Sequence, residues 1–336
     1  MPPTQYSQLG AGQPRYGKLP KERRMLLDRA WLAMTRISLT WAVSVLNIAI
    51  CSSALAQVSV LNLELSETDS LFHDSPRDLP ATSVSHPWEW HVRPHGVVYH
   101  TYWASAAEPR LGTQVVDISD GTFQDSSIGG RVGLLRFGPR DLAEGFQLDI
   151  LGGAKLRQDW NNGLDVLATD FRYDILGTFG NGPHRFKLGF YHVSSHAGDE
   201  FLLKHPDFER LNYFRDVFVA GYSFYPIAEL RLYSEVGWSF HSELSEPWEF
   251  QFGLDYGPAS ATGNRGAPFL AVNTHLRQEL DFGGNIAVQA GWAWRGDGPG
   301  DGVLRTGAYF SDGGSSQFSF FRTHETQLGW GLWYDF

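Results

Sequence analysis

The sequence predicts a transmembrane antiparallel β-barrel of about twelve strands, and three observations lead there. From residue 97 onward the chain is a series of runs of about ten residues that alternate in polarity and are broken by Gly, Pro, Asp and Asn. The composition favours strands: 14% of residues are aromatic, with 12 Trp, 13 Tyr and 23 Phe, and there are 37 Gly. Most telling, the polar face of the alternating runs carries charges deep within strands, while the apolar face is rich in aromatic residues near strand ends. A soluble sandwich also alternates, but lipid outside and polar groups inside is the barrel pattern. The mean hydropathy of -0.26 argues against a helical membrane protein. It does not argue against a barrel, whose strands need apolar residues only at alternate positions.

The apolar faces can be read strand by strand. Phe250, Phe252, Leu254 and Tyr256 oppose Glu249, Gln251 and Asp255. Leu230, Leu232, Val236, Trp238 and Phe240 oppose Arg231, Tyr233, Glu235 and His241. Ile286, Val288, Trp292 and Trp294 oppose Gln289 and Arg295, and Leu328, Trp330, Leu332, Tyr334 and Phe336 share one face. Asp149, Asp170, Arg172, Asp174, His275, Arg277 and Glu279 are expected to face the lumen, most simply as a salt-bridged plug of side chains.

The expected strands are 97–105, 127–138, 145–156, 165–177, 185–196, 213–224, 229–241, 248–257, 268–279, 284–295, 303–311 and 324–336. An even count puts both barrel ends on one side, the periplasmic side in an outer-membrane protein. Segments 139–144 and 226–228 are then periplasmic turns, and 106–126, 197–212 and 312–323 are outer loops. The connection at 280–283 is short for an outer loop.

Ahead of the barrel the chain reads differently. Residues 34–56 form an apolar run preceded by Arg29 and Arg36 and ending in Ala54-Leu55-Ala56, the pattern of a secretory signal cleaved before Gln57. A retained anchor is the alternative. Residues 1–56 are thus the signal segment, with Met25 and Met34 as alternative translation starts, and 57–96 a polar periplasmic lead-in to a barrel at 97–336. Cys51 is the only cysteine and lies within the signal, so the mature chain has no disulfide. Residues 1–56 hold seven Lys/Arg and two Asp/Glu, leaving 20 basic and 35 acidic residues beyond them. A net charge that negative speaks against nucleic acid as a partner.

The most pointed chemical motif runs from Phe190 to Glu200 (FYHVSSHAGDE). His192 and Ser194 are two residues apart on a strand, so they share a face with Cα atoms about 6.6 Å apart. That spacing suits a Ser nucleophile and a His base. Phe186, Leu188 and Phe190 have the same parity, so the pair continues a lipid-facing stripe, where polar groups have no obvious structural use. Ser195 turns the other way, toward the lumen. Phe214, Phe218 and Tyr222 mark the lipid face of the next strand, and Asn212 and Asp216 share it as alternative third members of the site. An ordinary polar strand end entering a loop accounts for the same residues. A metal reading of His192, His196, Asp199 and Glu200 is weaker, because four strand residues separate the two histidines by about 13 Å.

This arrangement resembles the outer-membrane phospholipase A and lipid A deacylase barrels, which carry a His-x-Ser pair on the outer wall with a third polar residue to orient it. The resemblance implies His192 as base, Ser194 as nucleophile, and Asn212 or Asp216 as the orienting group, in a serine esterase acting on outer-membrane lipids. Ser195 stands where that pattern has Asn. Calcium is neither required nor excluded by the sequence. The terminal strand ending in Phe336 resembles the signal by which the barrel assembly machinery recognises its clients. Over 86–336, in stretches such as SSIGGRVGLLRFG, FYHVSSHAGDEFLL, EPWEFQFGLDY and GLWYDF, the chain also resembles the bacterial family named domain of unknown function 1207. That family implies an outer-membrane protein and no particular activity; a non-enzymatic structural, receptor or narrow-channel barrel is the competing reading.

Overall fold

The structure, a computed structural model, describes residues 87–140, 143–297 and 302–336. The signal segment 1–56 and most of the lead-in 57–96 lie outside the described residues. Thirteen strands make one antiparallel sheet: β1 (Glu89–Val92), β2 (Leu111–Ile118), β3 (Gly121–Gly138), β4 (Gly145–Asp159), β5 (Asp165–Asn181), β6 (His184–Ala197), β7 (Tyr213–Ile227), β8 (Leu230–Ser242), β9 (Trp248–Tyr256), β10 (Ala267–Arg277), β11 (Gly283–Arg295), β12 (Val303–Gly314) and β13 (His324–Asp335). Each of β2 to β13 pairs with its sequence neighbours, and β13 closes on β2 in register from Leu328↔Asp117 to Tyr334↔Leu111. The result is a closed twelve-stranded barrel, with β1 added on β3 alone. A short helix, α1 (Asp199–Lys204), follows β6.

The expected inside and outside hold for most of the wall. Asp149, Asp170, Asp174, Glu235, His275 and Arg277 are buried in the lumen. Trp238, Phe250, Tyr256, Trp292, Leu328 and Trp330 are exposed outside, in the position of a lipid-facing belt.

The first strand is a correction. Residues 97–105 are not in the wall. They follow β1, which takes the edge of β3 (Glu89↔Gly138 to Val92↔Leu135) below the stretch where β3 pairs β2. At Arg93 the chain turns with a left-handed backbone (φ 52°) and passes into the lumen, where Val97, Val98, Tyr99 and Tyr102 are sealed from solvent. A segment surrounded on every side has no face on which to alternate, and the consecutive Val97-Val98-Tyr99 reflects that. The wall instead begins at Leu111, and the expected outer loop 106–126 contains a hairpin, β2–β3, turning through Ser119-Asp120, with Gly121 opening β3 at φ 145°. Ser, Asp and Gly in succession are turn residues, and they are the signal that was available there.

The internal segment makes few backbone hydrogen bonds of its own, so its carbonyls need other donors. Wall arginines supply them. Arg231 donates to the carbonyls of His100 (2.9 Å) and Thr101 (2.5 Å), and Arg305 to that of Trp103 (3.2 Å). Arg110, within the segment, donates to Tyr102 O (2.7 Å) and Ser105 O (2.8 Å). Lys187 joins Glu108 of the segment (2.8 Å) to Glu235 of the wall (2.5 Å). Burial works to raise the Glu108 carboxyl, but the charges of Lys187 and Arg172 outweigh it and hold it below the usual carboxylate range.

The far end of the lumen is filled from the other side. The β12–β13 connection, 315–323, folds inward, with Gln317, Phe318, Phe320 and Phe321 buried. Phe318 stacks on Tyr213 with ring centroids 5.0 Å apart, and Phe320 meets Phe201 of α1 at 5.3 Å. Between the two fillings Arg157 reaches from β4 to Asp125 of β3 (2.7 and 2.8 Å) and Glu325 of β13 (2.8 and 2.7 Å).

Candidate functional site on the outer wall

Three strands bring the site together near the rim opposite the C-terminus. On β6, Phe186 and Leu188 are exposed outside, and Phe190, His192, Ser194 and His196 continue that face upward. Register places His192 between Tyr173 of β5 and Asp216 of β7, and Ser194 between Phe171 and Phe214. His192 and Ser194 thus lie on the lipid-facing wall, while Ser195 is buried inside, donating to Asp170 and lying 2.7 Å from Ser319 Oγ.

The third strand adds a residue that the sequence pattern placed on the other face. Strict alternation turns His241 inward with Glu235. Instead β8 carries a bulge: Asp216 pairs with His241 and Val217 with Ser239, leaving Phe240 as the extra residue. A bulge re-aims the side chains beyond it, so Phe240 and His241 both face outward. Asp216 then lies between two imidazoles. Its Oδ1 accepts from His192 Nδ1 at 2.7 Å, and its Oδ2 from His241 Nδ1 at 2.8 Å. A carboxylate can only accept, so both histidines carry their proton on Nδ1 when neutral, and each Nε2 is left as an acceptor.

Exposure grades across the cluster. The side chains of Asp216 and His192 are 18% and 26% exposed and that of His241 is 64% exposed. Tyr173 stacks on the His192 ring at 5.2 Å, fixing its plane, and Phe214 meets the His241 ring edge-on at 5.1 Å. Below lie Phe190, Phe218, Trp238 and Phe240 in mutual ring contact. The polar cluster therefore sits at the upper margin of the apolar belt.

Of the two alternatives for the third member, Asp216 reaches His192 and Asn212 does not. Asn212 lies before β7 and its amide donates to Glu243 at 2.5 Å. No hydrogen bond joins the Ser194 hydroxyl to His192 among the described residues. His196, also outward, approaches Arg210 at 3.4 Å, and Asp199 and Glu200 open α1. Among the described residues no group of three or more His, Cys, Asp or Glu is arranged to hold a metal ion.

Chemically, the cluster offers a hydroxyl beside an imidazole whose Nδ1 is anchored and whose Nε2 is a free base. A nucleophile, its base and an orienting carboxylate need these residue types; here, among the described residues, the bond from base to carboxylate is formed and a Ser194–His192 hydrogen bond is not.

A family model described as protein of unknown function (DUF1207) matches residues 124–336, and the chain belongs to that family. No curated protein matches it. Among solved structures it is similar to the outer membrane phospholipase A of Escherichia coli, at 9% identity over 67% of this chain and 89% of that one, with a TM-score of 0.44. It is also similar to the Salmonella typhi outer membrane phospholipase dimer with bound calcium (9% identity, 67% and 90% covered, TM-score 0.44) and to a KdgM porin (12%, 67% and 98%, TM-score 0.35).

Proposed function

We propose that this member of the DUF1207 family is an outer-membrane serine hydrolase that cleaves an acyl ester of a membrane lipid at the margin of its apolar belt. The observation that carries the reading is the 2.7 Å bond from His192 Nδ1 to Asp216 on the outer wall, one outward position from Ser194. In this reading Ser194 Oγ attacks the ester carbonyl as its proton passes to His192 Nε2. The tetrahedral adduct collapses, the proton goes to the departing alcohol, and the acyl group stays on Ser194. Water, deprotonated by the same imidazole, then releases the fatty acid and restores the serine. Asp216 stays ionised, holding the ring in the right tautomer and stabilising the imidazolium. The partners follow from location: outer-membrane lipids as substrate, and the barrel assembly machinery engaging the strand that ends in Phe336. Export through a signal removed before Gln57 completes the proposal, and N-terminal sequencing of the membrane-extracted protein checks it.

The test is fatty-acid release from micelles of phospholipid and lipopolysaccharide, with and without calcium. Release that depends on Ser194 and His192 supports the reading. A folded barrel that releases nothing from either lipid overturns it. One observation favours the competing, non-enzymatic reading: the lumen is filled from both ends by 93–110 and 315–323, as a barrel built for rigidity would be. The same filling speaks against the narrow channel, and planar bilayers holding the protein should show no steady conductance.

A further inference from the structure

Most arginines inside the barrel stand beside an acid, and two others, which do not, meet in one place. Arg131, Arg157, Arg172, Arg231 and Arg305 each stand within 4.0 Å of a carboxylate. Arg185 of β6 and Arg295 of β11 also have the inward parity of their strands, yet among the described residues neither has a carboxylate partner. Arg185 donates to the carbonyls of Gly182 (2.5 Å) and His184 (2.8 Å), and Arg295 Nε to that of Pro258 (2.7 Å). Both line a cavity of about 510 Å3 at the rim that bears the C-terminus, among the turns 182–183, 226–229 and 257–259. Its size is that of a small-molecule site.

The rest of the lining says what kind of molecule fits. Trp103 and Tyr225 supply flat apolar surface. Arg231 and Asp255 line the cavity as an ion pair, bonded through Asp255 Oδ2 (2.9 Å from Nε), and Asp255 Oδ1 is buried with no hydrogen-bond partner. Glu229 is a further acid of the lining, exposed on its turn, so three arginines face two carboxylates. His100 adds no charge: desolvation, followed by the charges of Arg295 and Arg231, pushes its imidazole down to about 3. Two guanidiniums that make no ion pair among the described residues leave room for an anion, and a buried carboxylate oxygen without a donor calls for a hydroxyl or N–H.

We propose that this cavity is a binding site for a small hydroxylated organic anion, a carboxylate or a phosphate monoester. Arg185 and Arg295 hold the anionic group, and Asp255 Oδ1 accepts from a hydroxyl. The site is at the opposite rim from Ser194 and independent of it.

The experiment is isothermal titration of the full chain in detergent with glycerol 3-phosphate, inorganic phosphate and glycerol. Glycerol 3-phosphate should bind saturably, inorganic phosphate more weakly, and glycerol not at all. The double variant Arg185→Gln/Arg295→Gln should bind glycerol 3-phosphate at least tenfold more weakly, while Arg322→Gln at the other rim leaves it unchanged. Absence of saturable binding at millimolar concentration overturns the proposal, as does a folded double variant that binds like the wild type. Inorganic phosphate binding as tightly as glycerol 3-phosphate overturns the role given to Asp255. Should the double variant not fold, the wild type decides: binding that weakens steeply with sodium chloride supports an arginine-held anion, and binding indifferent to salt overturns it.

Discussion

The inside and the outside of this barrel use the same polar residues under opposite rules. In the lumen, charge is plentiful and most groups answer to a neighbour: Arg157 to Asp125 and Glu325, Lys187 to Glu108 and Glu235, Arg305 to Asp335. Those groups tie strand to strand and wall to filling, so their presence is explained by the fold. On the outer wall polar side chains also bond to one another, as Thr113, Gln124 and Ser126 do, and at the rim His192, Asp216 and His241 form a second such group. They tie β6, β7 and β8, strands already joined by their backbones. A buried polar group inside a barrel is thus ordinary architecture, whereas the rim cluster is set apart by a carboxylate that anchors two imidazoles.

The sharpest way to break that comparison is to remove the two outer groups asked to do chemistry. Ser194→Ala should lower fatty-acid release by about 10³-fold or more and leave barrel stability unchanged, because its hydroxyl supports no other group. His192→Ala should cost about as much, and the double variant little more, since nucleophile and base act as a unit. Activity in Ser194→Ala within a few-fold of the wild type would return the cluster to architecture.

The lumen should give the reverse result. Arg157→Ala strands Asp125 and Glu325 in a buried site and should destabilise the barrel by about 3–5 kcal/mol, read from denaturant unfolding in detergent. Whatever fraction folds should hydrolyse lipid at the normal rate per folded molecule. A loss of rate without a loss of stability would mean that lumen and outer site are coupled, and the separation drawn between them would fail.

How much of this was legible in the sequence follows the same division. Alternation gave ten or more strands and their faces because a wall one residue thick must present neighbours to opposite media, and Asp149, Asp170 and Glu235 are inside as their parity requires. It failed at 97–105, where the chain leaves the wall and has no two faces to distinguish. It failed again at His241, where one extra residue in β8 inverts parity beyond Phe240. A bulge leaves no mark in a polarity pattern at the end of a strand. That His192 and Ser194 share the outer face was readable from spacing alone, and which of Asn212 and Asp216 reaches His192 was not, because it depends on the β6–β7 register rather than on either strand by itself.

Register is therefore the next thing to test. Asp216→Asn keeps the shape and replaces the acceptor, and should lower hydrolysis by about 10²–10⁴-fold by favouring the wrong His192 tautomer. Asn212→Ala should change it less than about twofold on the same argument, since its amide is turned to Glu243 and no catalytic hydrogen bond is lost. Equal losses in the two variants would show that the strands meet in another register.

The smallest effect is the most diagnostic, because it contrasts adjacent residues of one type. Ser194 and Ser195 differ only in which side of the wall they face. Ser195 is buried, donates to Asp170 and lies 2.7 Å from Ser319 of the inward-folded connection. Ser195→Ala removes a donor from a buried carboxylate and a link to that filling. It should cost about 1–3 kcal/mol of stability, the range for leaving a buried group unsatisfied, with hydrolysis unchanged. Ser194→Ala should show the mirror image, with stability kept and activity gone. The measurement is paired: denaturation midpoints and fatty-acid release for both variants on the same preparations. If the serines cross over in this way, the wall separates structure from chemistry at a resolution of one residue. If Ser195→Ala loses activity with its fold intact, the nucleophile faces the lumen, and the outer cluster loses its role as the site.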